Sequence, residues 1–391
     1  MIHRPKFLST FVSKLTLLRQ PSLQQQLRAK YSRRYNPRDE DEDDDRVRKR
    51  TENQEKNIHL HKSMGQHILT NQRVLDSIVQ KSDIRPTDTV LEIGPGTGNL
   101  TLKLLEVARK VIAVEIDKRM VEILHNRVAE HGLEEKLTVI CKDALKTEFP
   151  QFDLVVANIP YGISSPLLAK LVFGAIPFRS ATLLLQKEFA RRLLANPGDS
   201  EYNRLAANVK LVAEVEFVMD VSKRHFLPCP KVDSSVVKIR QKAEIPEVDL
   251  DEWRAFTAVC FIKKNKTLGA TFKQKRKLMQ LLKLSEVTGS NEGNAVDFDN
   301  SDCSDDGDEE DKEGESDEGN YSLSFGSEMG MNLFKEKIIG VLKSSGFEDK
   351  RPSKLSNEEL LHLLSLFNQA GIHFRDRAKK RDASNVEFAA A

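Results

Sequence analysis

Five short apolar runs rich in β-branched residues, centred near positions 90, 112, 138, 154 and 182, alternate with stretches of helical periodicity. This alternation restricts the chain more than any other feature. Strands separated by helix-length segments pair in parallel through crossovers, whereas an antiparallel hairpin needs only a short turn between its strands. The expected fold is α/β: a doubly wound, mostly parallel sheet from residue 57 to 243, closed by two later runs near Val215 and Val236. From residue 244 the period changes. Trp253, Phe256, Val259 and Cys260 recur at helical spacing, as do Met331, Leu333, Phe334, Ile338, Ile339 and Leu342, and a further helix is expected over 358–367. Residues 244–391 are therefore expected to form a smaller helical domain.

Open α/β sheets place their chemistry at the carboxyl ends of the strands. The run Leu154, Val155, Val156, Ala157 ends in Asn158, Ile159, Pro160 and Tyr161. An aromatic amine such as N6 of adenine is a poor nucleophile, because its lone pair is delocalised into the ring. The Asn158 side-chain oxygen and a backbone carbonyl beside Pro160 are two acceptors able to hold both amine hydrogens, and Tyr161 offers a face for the base. A strand followed by an ordinary Asn-x-Pro turn is the plainer alternative. Upstream, Glu92-Ile93-Gly94-Pro95-Gly96-Thr97-Gly98 follows a strand-like run and precedes a helical pattern. Glycines there let backbone approach a nucleoside and leave the helix amino terminus facing a carboxylate or phosphate. The spacing is not that of dinucleotide binders. The next strand ends in Glu115, placed to accept ribose hydroxyls, and the one after it is followed by Asp143, a candidate acceptor for an adenine amino group.

With these loops in order, the chain resembles the ribosomal RNA adenine N6,N6-dimethyltransferases, and their eukaryotic branch more than the bacterial. The likeness starts at Lys62-Ser63-Met64-Gly65-Gln66-His67-Ile68-Leu69-Thr70 and includes the motifs above. It continues through Gln186-Lys187-Glu188-Phe189-Ala190, Tyr202-Asn203-Arg204-Leu205 and Phe226-Leu227-Pro228-Cys229-Pro230-Lys231-Val232-Asp233. Lys264-Asn265-Lys266-Thr267-Leu268 and Gly371-Ile372-His373-Phe374 are similar to the eukaryotic branch. The resemblance implies a Rossmann-like, S-adenosylmethionine-dependent methyltransferase sheet in which at least one closing strand is antiparallel. It implies cofactor contacts from His67, Leu69, Gly94, Gly96, Glu115, Asp143 and Asn158. Asn158, Pro160, Tyr161 and Phe226 are the implied catalytic set, with Tyr161 and Phe226 sandwiching a flipped adenine. The implied substrate is small-subunit ribosomal RNA within a pre-ribosomal particle, at two adjacent adenines of a hairpin loop. A monomer is the implied state. A DNA adenine methyltransferase, a nicotinamide dehydrogenase and a non-catalytic factor for ribosome assembly or mitochondrial transcription are the rival readings.

Charge is unevenly distributed behind a formal net of +2. Residues 285–328 hold sixteen acids and one base, so this segment is expected to be a disordered acidic insert in an otherwise basic protein. Arg191, Arg192, Lys263, Lys264, Lys266, Lys273, Lys275, Arg276, Lys277 and the run Arg375–Arg381 are candidate phosphate contacts. Residues 1–56 are expected to be a targeting presequence and charged linker. Met1–Arg38 carries nine Lys or Arg and no acid, with Phe7, Phe11, Leu15 and Leu18 at helical spacing, which is the composition of a mitochondrial leader. The cluster Arg46-Val47-Arg48-Lys49-Arg50 is the competing signal for the nucleus or nucleolus. No apolar run approaches the roughly 20 residues of a membrane span. Cys141, Cys229, Cys260 and Cys303 have no metal-ligand spacing, His59 and His61 lack partners at useful spacing, and no metal site is expected.

Overall fold

A computed structural model describes residues 67–274, 278, 279, 281, 282 and 325–374, with the side chains of 325–329 excepted. The expected leader, the basic cluster at 46–50, His59, His61, the acidic insert with Cys303, Lys275–Lys277 and the basic run after Phe374 lie outside the described residues.

The strands are β1 (Ile68–Leu69), β2 (Thr89–Ile93), β3 (Lys110–Val114), β4 (Leu137–Ile140), β5 (Leu154–Asn158), β6 (Ser180–Gln186), β7 (Ala213–Val221), β8 (Phe226–Leu227) and β9 (Ser234–Gln241). The helices between them are α1 (Gln72–Lys81), α2 (Asn99–Val107), α3 (Lys118–Glu130), α4 (Ser164–Val172), α5 (Lys187–Leu194) and α6 (Arg204–Val212). After the sheet come α7 (Leu250–Cys260), α8 (Leu268–Phe272), α9 (Phe325–Ser344) and α10 (Asn357–Gln369). Polar residues set the helix starts. Asn71, Asp117, Asn203, Asp249 and Thr267 each accept a backbone N–H of the first turn, and Ser356 and Glu359 form a reciprocal capping box.

The main sheet runs β4-β3-β2-β5-β6-β9-β7. The first five strands are parallel, while β9 is antiparallel to both β6 and β7. The two closing strands are thus present, one reversed against the parallel set. From β2 the chain winds outward through β3 and β4, then returns to the other side of β2 as β5. The order therefore switches between β2 and β5, and a crevice opens beyond their carboxyl ends.

Period-two alternation divides each central strand between two apolar layers. Val90, Val111, Leu154 and Val156 face a cluster with Leu75, Ile78, Leu104 and Leu124 of α1–α3. Leu91, Ile112, Val155 and Ala157 face the opposite cluster, with Leu167, Leu168 and Leu171 of α4. Each fully buried aliphatic side chain contributes about 1.5–3 kcal/mol before entropy is counted. The second cluster continues without interruption through Val209 and Val212 into Trp253, Phe256, Phe367 and Phe374. The helical segment is therefore packed onto one face of the sheet. Hydrogen bonds fix the junction: Lys354 Nζ donates to the Gly198 carbonyl (2.7 Å), Lys264 Nζ to the Ser200 carbonyl (3.0 Å) and Asn357 Nδ2 to the Ala207 carbonyl (3.0 Å). On α9, Met331, Phe334, Ile338 and Leu342 are buried, but Leu333 is 61% exposed because it falls on the opposite side of the helix. No helix among the described residues is long and apolar enough to cross a membrane.

Candidate active site

One pocket sits at the switch point, walled by the turns after β2, β3 and β5 and roofed by β1. The turn after β2 is built on glycine. Gly94 has φ +69°, and a Cβ there would lie 3.1 Å from Pro160 Cδ, so the absent side chain is what lets the Asn158–Tyr161 turn close against the β2 turn. Gly96, at φ +56°, has no atom within 4 Å of an added Cβ. It keeps the cavity open.

Glu115 lies just after β3, buried to 8% exposure. Gly96 N–H donates to its Oε2 (3.2 Å) and Asp117 N–H to its Oε1 (3.0 Å), which holds the carboxylate in one orientation. Burial pushes its carboxyl up from the ordinary value, and these backbone donors oppose the rise. Asn158 is the last residue of β5. Its Nδ2 donates to the His67 carbonyl (3.0 Å), which leaves Oδ1 as an acceptor at the pocket. The Pro160 carbonyl is taken by Ile163 N–H (3.1 Å), closing a single 3-10 turn over Tyr161–Ile163. Of the two carbonyls flanking the proline ring bond, that of Ile159 is the better placed to receive a second hydrogen.

The roof is a two-residue antiparallel ladder in which Ile68 pairs with Leu227 and Leu69 with Phe226. His67 Nδ1 donates to the Pro228 carbonyl (2.8 Å), and Asn99 Nδ2 to the Leu69 carbonyl (3.0 Å). Tyr161 stands beside His67, with ring centroids 5.6 Å apart and tilted by 30°. Its hydroxyl shares a 2.8 Å hydrogen bond with the buried hydroxyl of Ser234, the first residue of β9. Burial also pushes the phenol up.

His67, Leu69, Gly94, Gly96, Glu115, Asn158, Pro160 and Tyr161 all line the pocket, so eight of the residues singled out in the sequence come together here. Two do not. Phe226 is 3% exposed and packs with Leu69, Leu75, Leu100 and Val236 behind the wall. Asp143 lies off the wall in the loop after β4, where its Oδ1 accepts Leu145 N–H (2.9 Å). That loop is fastened by Lys170 of α4, whose ammonium donates to the carbonyls of Ala144 (2.9 Å), Leu145 (3.0 Å) and Thr147 (2.5 Å). The wall also contains residues that sequence reading passed over: Glu92, Asn99, Ile116 and Met120. Ile116, directly after the strand-ending carboxylate, is 55% exposed. Among the basic candidates, Lys264 and Lys273 are engaged within the protein, the latter with Glu348 at 2.9 Å, whereas Arg191, Lys263 and Lys266 are exposed. No group of three or more His, Cys, Asp or Glu among the described residues is arranged to hold a metal ion.

The donor set suits a nucleoside that carries an amino acid. Glu115 presents a carboxylate to a diol, Ile116 and Met120 present apolar surface to a base, and Gly96 leaves room for the chain between. The Glu92 carboxyl, 1% exposed, has an Oε2 with no hydrogen-bond partner among the described residues.

The family model described as Ribosomal RNA adenine dimethylase matches residues 57–300. The chain is 64% identical over 315 residues to the mitochondrial ribosomal RNA small subunit methyltransferase of Arabidopsis thaliana, covering 81% of this chain and 80% of that one. It is 42% identical over 311 residues to the dimethyladenosine transferase of Saccharomyces cerevisiae, covering 80% and 89%. The crystal structure of a dimethyladenosine transferase from Plasmodium falciparum superposes with a TM-score of 0.63 at 38% identity, covering 79% of this chain and all of that one.

Proposed function

The chain belongs to the ribosomal RNA adenine dimethylase family, and from that premise we propose that it transfers two methyl groups to N6 of adenine in small-subunit ribosomal RNA. S-adenosylmethionine is the proposed cofactor, and when bound it supplies a methyl group made electrophilic by its sulfonium. The protein's own part is to hold the other reactant. The Asn158 Oδ1 and the Ile159 carbonyl accept the two amine hydrogens, drawing the nitrogen toward tetrahedral geometry and aiming its lone pair. Tyr161 gives the base a face, and Pro160 sets the angle between amide and ring. The leaving proton goes to solvent after transfer, so the residues act by orientation rather than as a general base.

The observation that carries this reading is the Asn158 amide, oriented by the His67 carbonyl beside the Pro160–Tyr161 turn. On the cofactor side, His67, Leu69, Gly94, Gly96 and Glu115 are the proposed contacts. Asp143 is proposed to reach the cofactor's adenine from its loop, and Phe226 to form the second face of the base clamp. The substrate is proposed to be two adjacent adenines of a hairpin loop in a pre-ribosomal particle, met by a monomer. Residues 57–243 are proposed to carry the chemistry. Residues 244–391 are proposed to add RNA contact, with Arg191, Lys263 and Lys266 on phosphates. The compartment is the mitochondrion, in keeping with the relative named mitochondrial and with the acid-free first 38 residues.

The test is mass spectrometry of adenosine from mitochondrial and cytosolic small-subunit RNA in cells lacking the protein. Wild-type complementation is expected to restore dimethyladenosine in the mitochondrial RNA. Asn158→Ala is expected to restore none, with turnover down at least about 10²-fold and cofactor binding weakened but measurable. Near-normal turnover in Asn158→Ala would remove the mechanism.

A further inference from the structure

The loop between β4 and β5 curls around a cation. Lys170, the seventh residue of α4, has three N–H bonds to give, and it gives them to the backbone carbonyls of Ala144, Leu145 and Thr147. Its ammonium also stands 4.5 Å from the centre of the Phe149 ring. Burial lowers the ammonium from the ordinary lysine value, and the Asp143 and Glu148 carboxylates oppose the fall. The lysine has a rigid base, because Leu167, Leu168 and Leu171 of the same helix are buried in the apolar layer. Three carbonyl oxygens directed at one point repel one another unless a donor sits among them, and one ammonium satisfies all three. The turn at 144–147 therefore takes its shape from Lys170.

The same turn sets Asp143. Its carbonyl accepts Lys146 N–H (3.1 Å), Thr147 N–H (3.0 Å) and the Thr147 hydroxyl (2.7 Å), so the backbone of this residue is built into the turn. Its Oδ1 accepts Leu145 N–H (2.9 Å), which fixes the carboxylate and leaves Oδ2 to accept from a ligand. Asp143 is not on the pocket wall, whereas Ile116 and Met120 are. Whether its carboxylate meets a base lying against Ile116 and Met120 is decided by where the turn is held, and Lys170 holds it. We propose that Lys170 is a positioning residue for cofactor selection: by gathering the carbonyls of Ala144, Leu145 and Thr147 it places Asp143 to accept from the exocyclic amine of adenine and to reject a base that carries oxygen there. A carboxylate only accepts, so a 6-oxo base would set oxygen against oxygen. Lys170 is itself absent from the pocket wall and acts only through the loop. This rests on the reading of Asp143 as the contact to the cofactor's adenine.

The test is equilibrium binding of two ligands to the full chain: S-adenosylhomocysteine, and its hypoxanthine counterpart in which a 6-oxo group replaces the amine. The wild type is expected to prefer the first by at least about tenfold, the size of one charge-assisted hydrogen bond. Lys170→Met keeps an unbranched side chain of similar length without the ammonium. It is expected to bring the preference to within about twofold and to raise KM for S-adenosylmethionine several-fold, with saturated kcat kept to within about twofold because the leucines still anchor α4. Lys170→Gln retains N–H donors and is expected to fall between the two, and it carries the test should the methionine protein fail to fold. In an Asp143→Ala background, where the contact is already gone, Lys170→Met is expected to weaken S-adenosylhomocysteine binding no further. A folded Lys170→Met protein with wild-type preference, a loss equal for both ligands, or a loss that adds to that of Asp143→Ala would overturn the assignment. A wild type that does not distinguish the ligands, or an Asp143→Ala protein that still does, would instead overturn the reading of Asp143 itself.

Discussion

Gly94 and Gly96 share a left-handed backbone, yet an added methyl group meets different surroundings, so a matched pair of alanine substitutions separates strain from steric coupling. The backbone term is common: holding alanine at φ +69° or +56° costs about 1–2 kcal/mol in each variant. The second term is not. At Gly94 the new Cβ lies 3.1 Å from Pro160 Cδ and 3.4 Å from Pro160 Cγ, a contact relieved only if the proline ring moves by a few tenths of an ångström. Pro160 sets the angle between Asn158 and Tyr161, and misplacing a reacting geometry by about 1 Å costs about 10²-fold. The expected loss in kcat for Gly94→Ala is therefore roughly three- to tenfold at saturating cofactor. At Gly96 the Cβ meets nothing within 4 Å and instead enters the cavity. That variant is expected to bind the cofactor several-fold more weakly while keeping its saturated kcat. Both are expected to unfold at lower denaturant, Gly94→Ala by the larger amount because of the Pro160 contact. The assay is methyl transfer to a small-subunit RNA fragment over a cofactor series, with urea unfolding alongside. A Gly94→Ala protein with wild-type kcat, or the opposite partition between the two variants, would refute the argument that Gly94 is required by the approach of Pro160.

Two further outcomes follow from contacts distant from the cofactor. Ser234→Ala releases the Tyr161 hydroxyl, and is expected to lower kcat/KM for RNA several-fold while leaving the cofactor Kd unchanged, because only the aromatic ring loses its anchor. At the other end of the sheet, Arg179 pairs with Asp88 at 2.5 Å, the aspartate side chain 5% exposed. Burial alone would raise the Asp88 carboxyl, but the Arg179 guanidinium and the Arg85 backbone N–H hold it below its usual value. A depressed carboxylate stabilises the fold above its unfolded value of about 3.9 and loses that contribution as pH falls through its folded value. Arg179→Met is thus expected to cost about 2–4 kcal/mol in urea unfolding at pH 7, with the gap to wild type closing as pH falls below the ordinary aspartate value. An unchanged gap at low pH would show that the loss came from packing.

What sequence reading reached and what it missed divide along a physical line. Burial of Val90, Leu91, Val155 or Trp253 is a property of each position, and its periodicity survives in the chain as a pattern of apolar residues. Partner choice is a property of pairs. Nothing local in Asn158 indicates that His67, 91 positions away, orients its amide, or that Ser234, 73 positions from Tyr161, anchors the ring. The ladder that brings His67 there, Ile68–Leu69 against Phe226–Leu227, is two residues long and too short to show a period. The same ladder places Phe226 in the apolar layer, a position that the family resemblance, which implied a face against a flipped adenine, does not show. Basic residues divide likewise: Lys264 and Lys266 look alike in sequence, but Lys264 Nζ donates to the Ser200 carbonyl whereas Lys266 is exposed. Glu92 is the extreme case. In the sequence it is one acid beside a glycine turn, and its burial, with an Oε2 that has no hydrogen-bond partner among the described residues, appears only in the fold. The pocket's two halves share its roof. The His67 carbonyl that orients Asn158 and the Leu69 carbonyl that holds Asn99 belong to one short segment, so a change in how that segment sits reaches the methyl acceptor and the cofactor together.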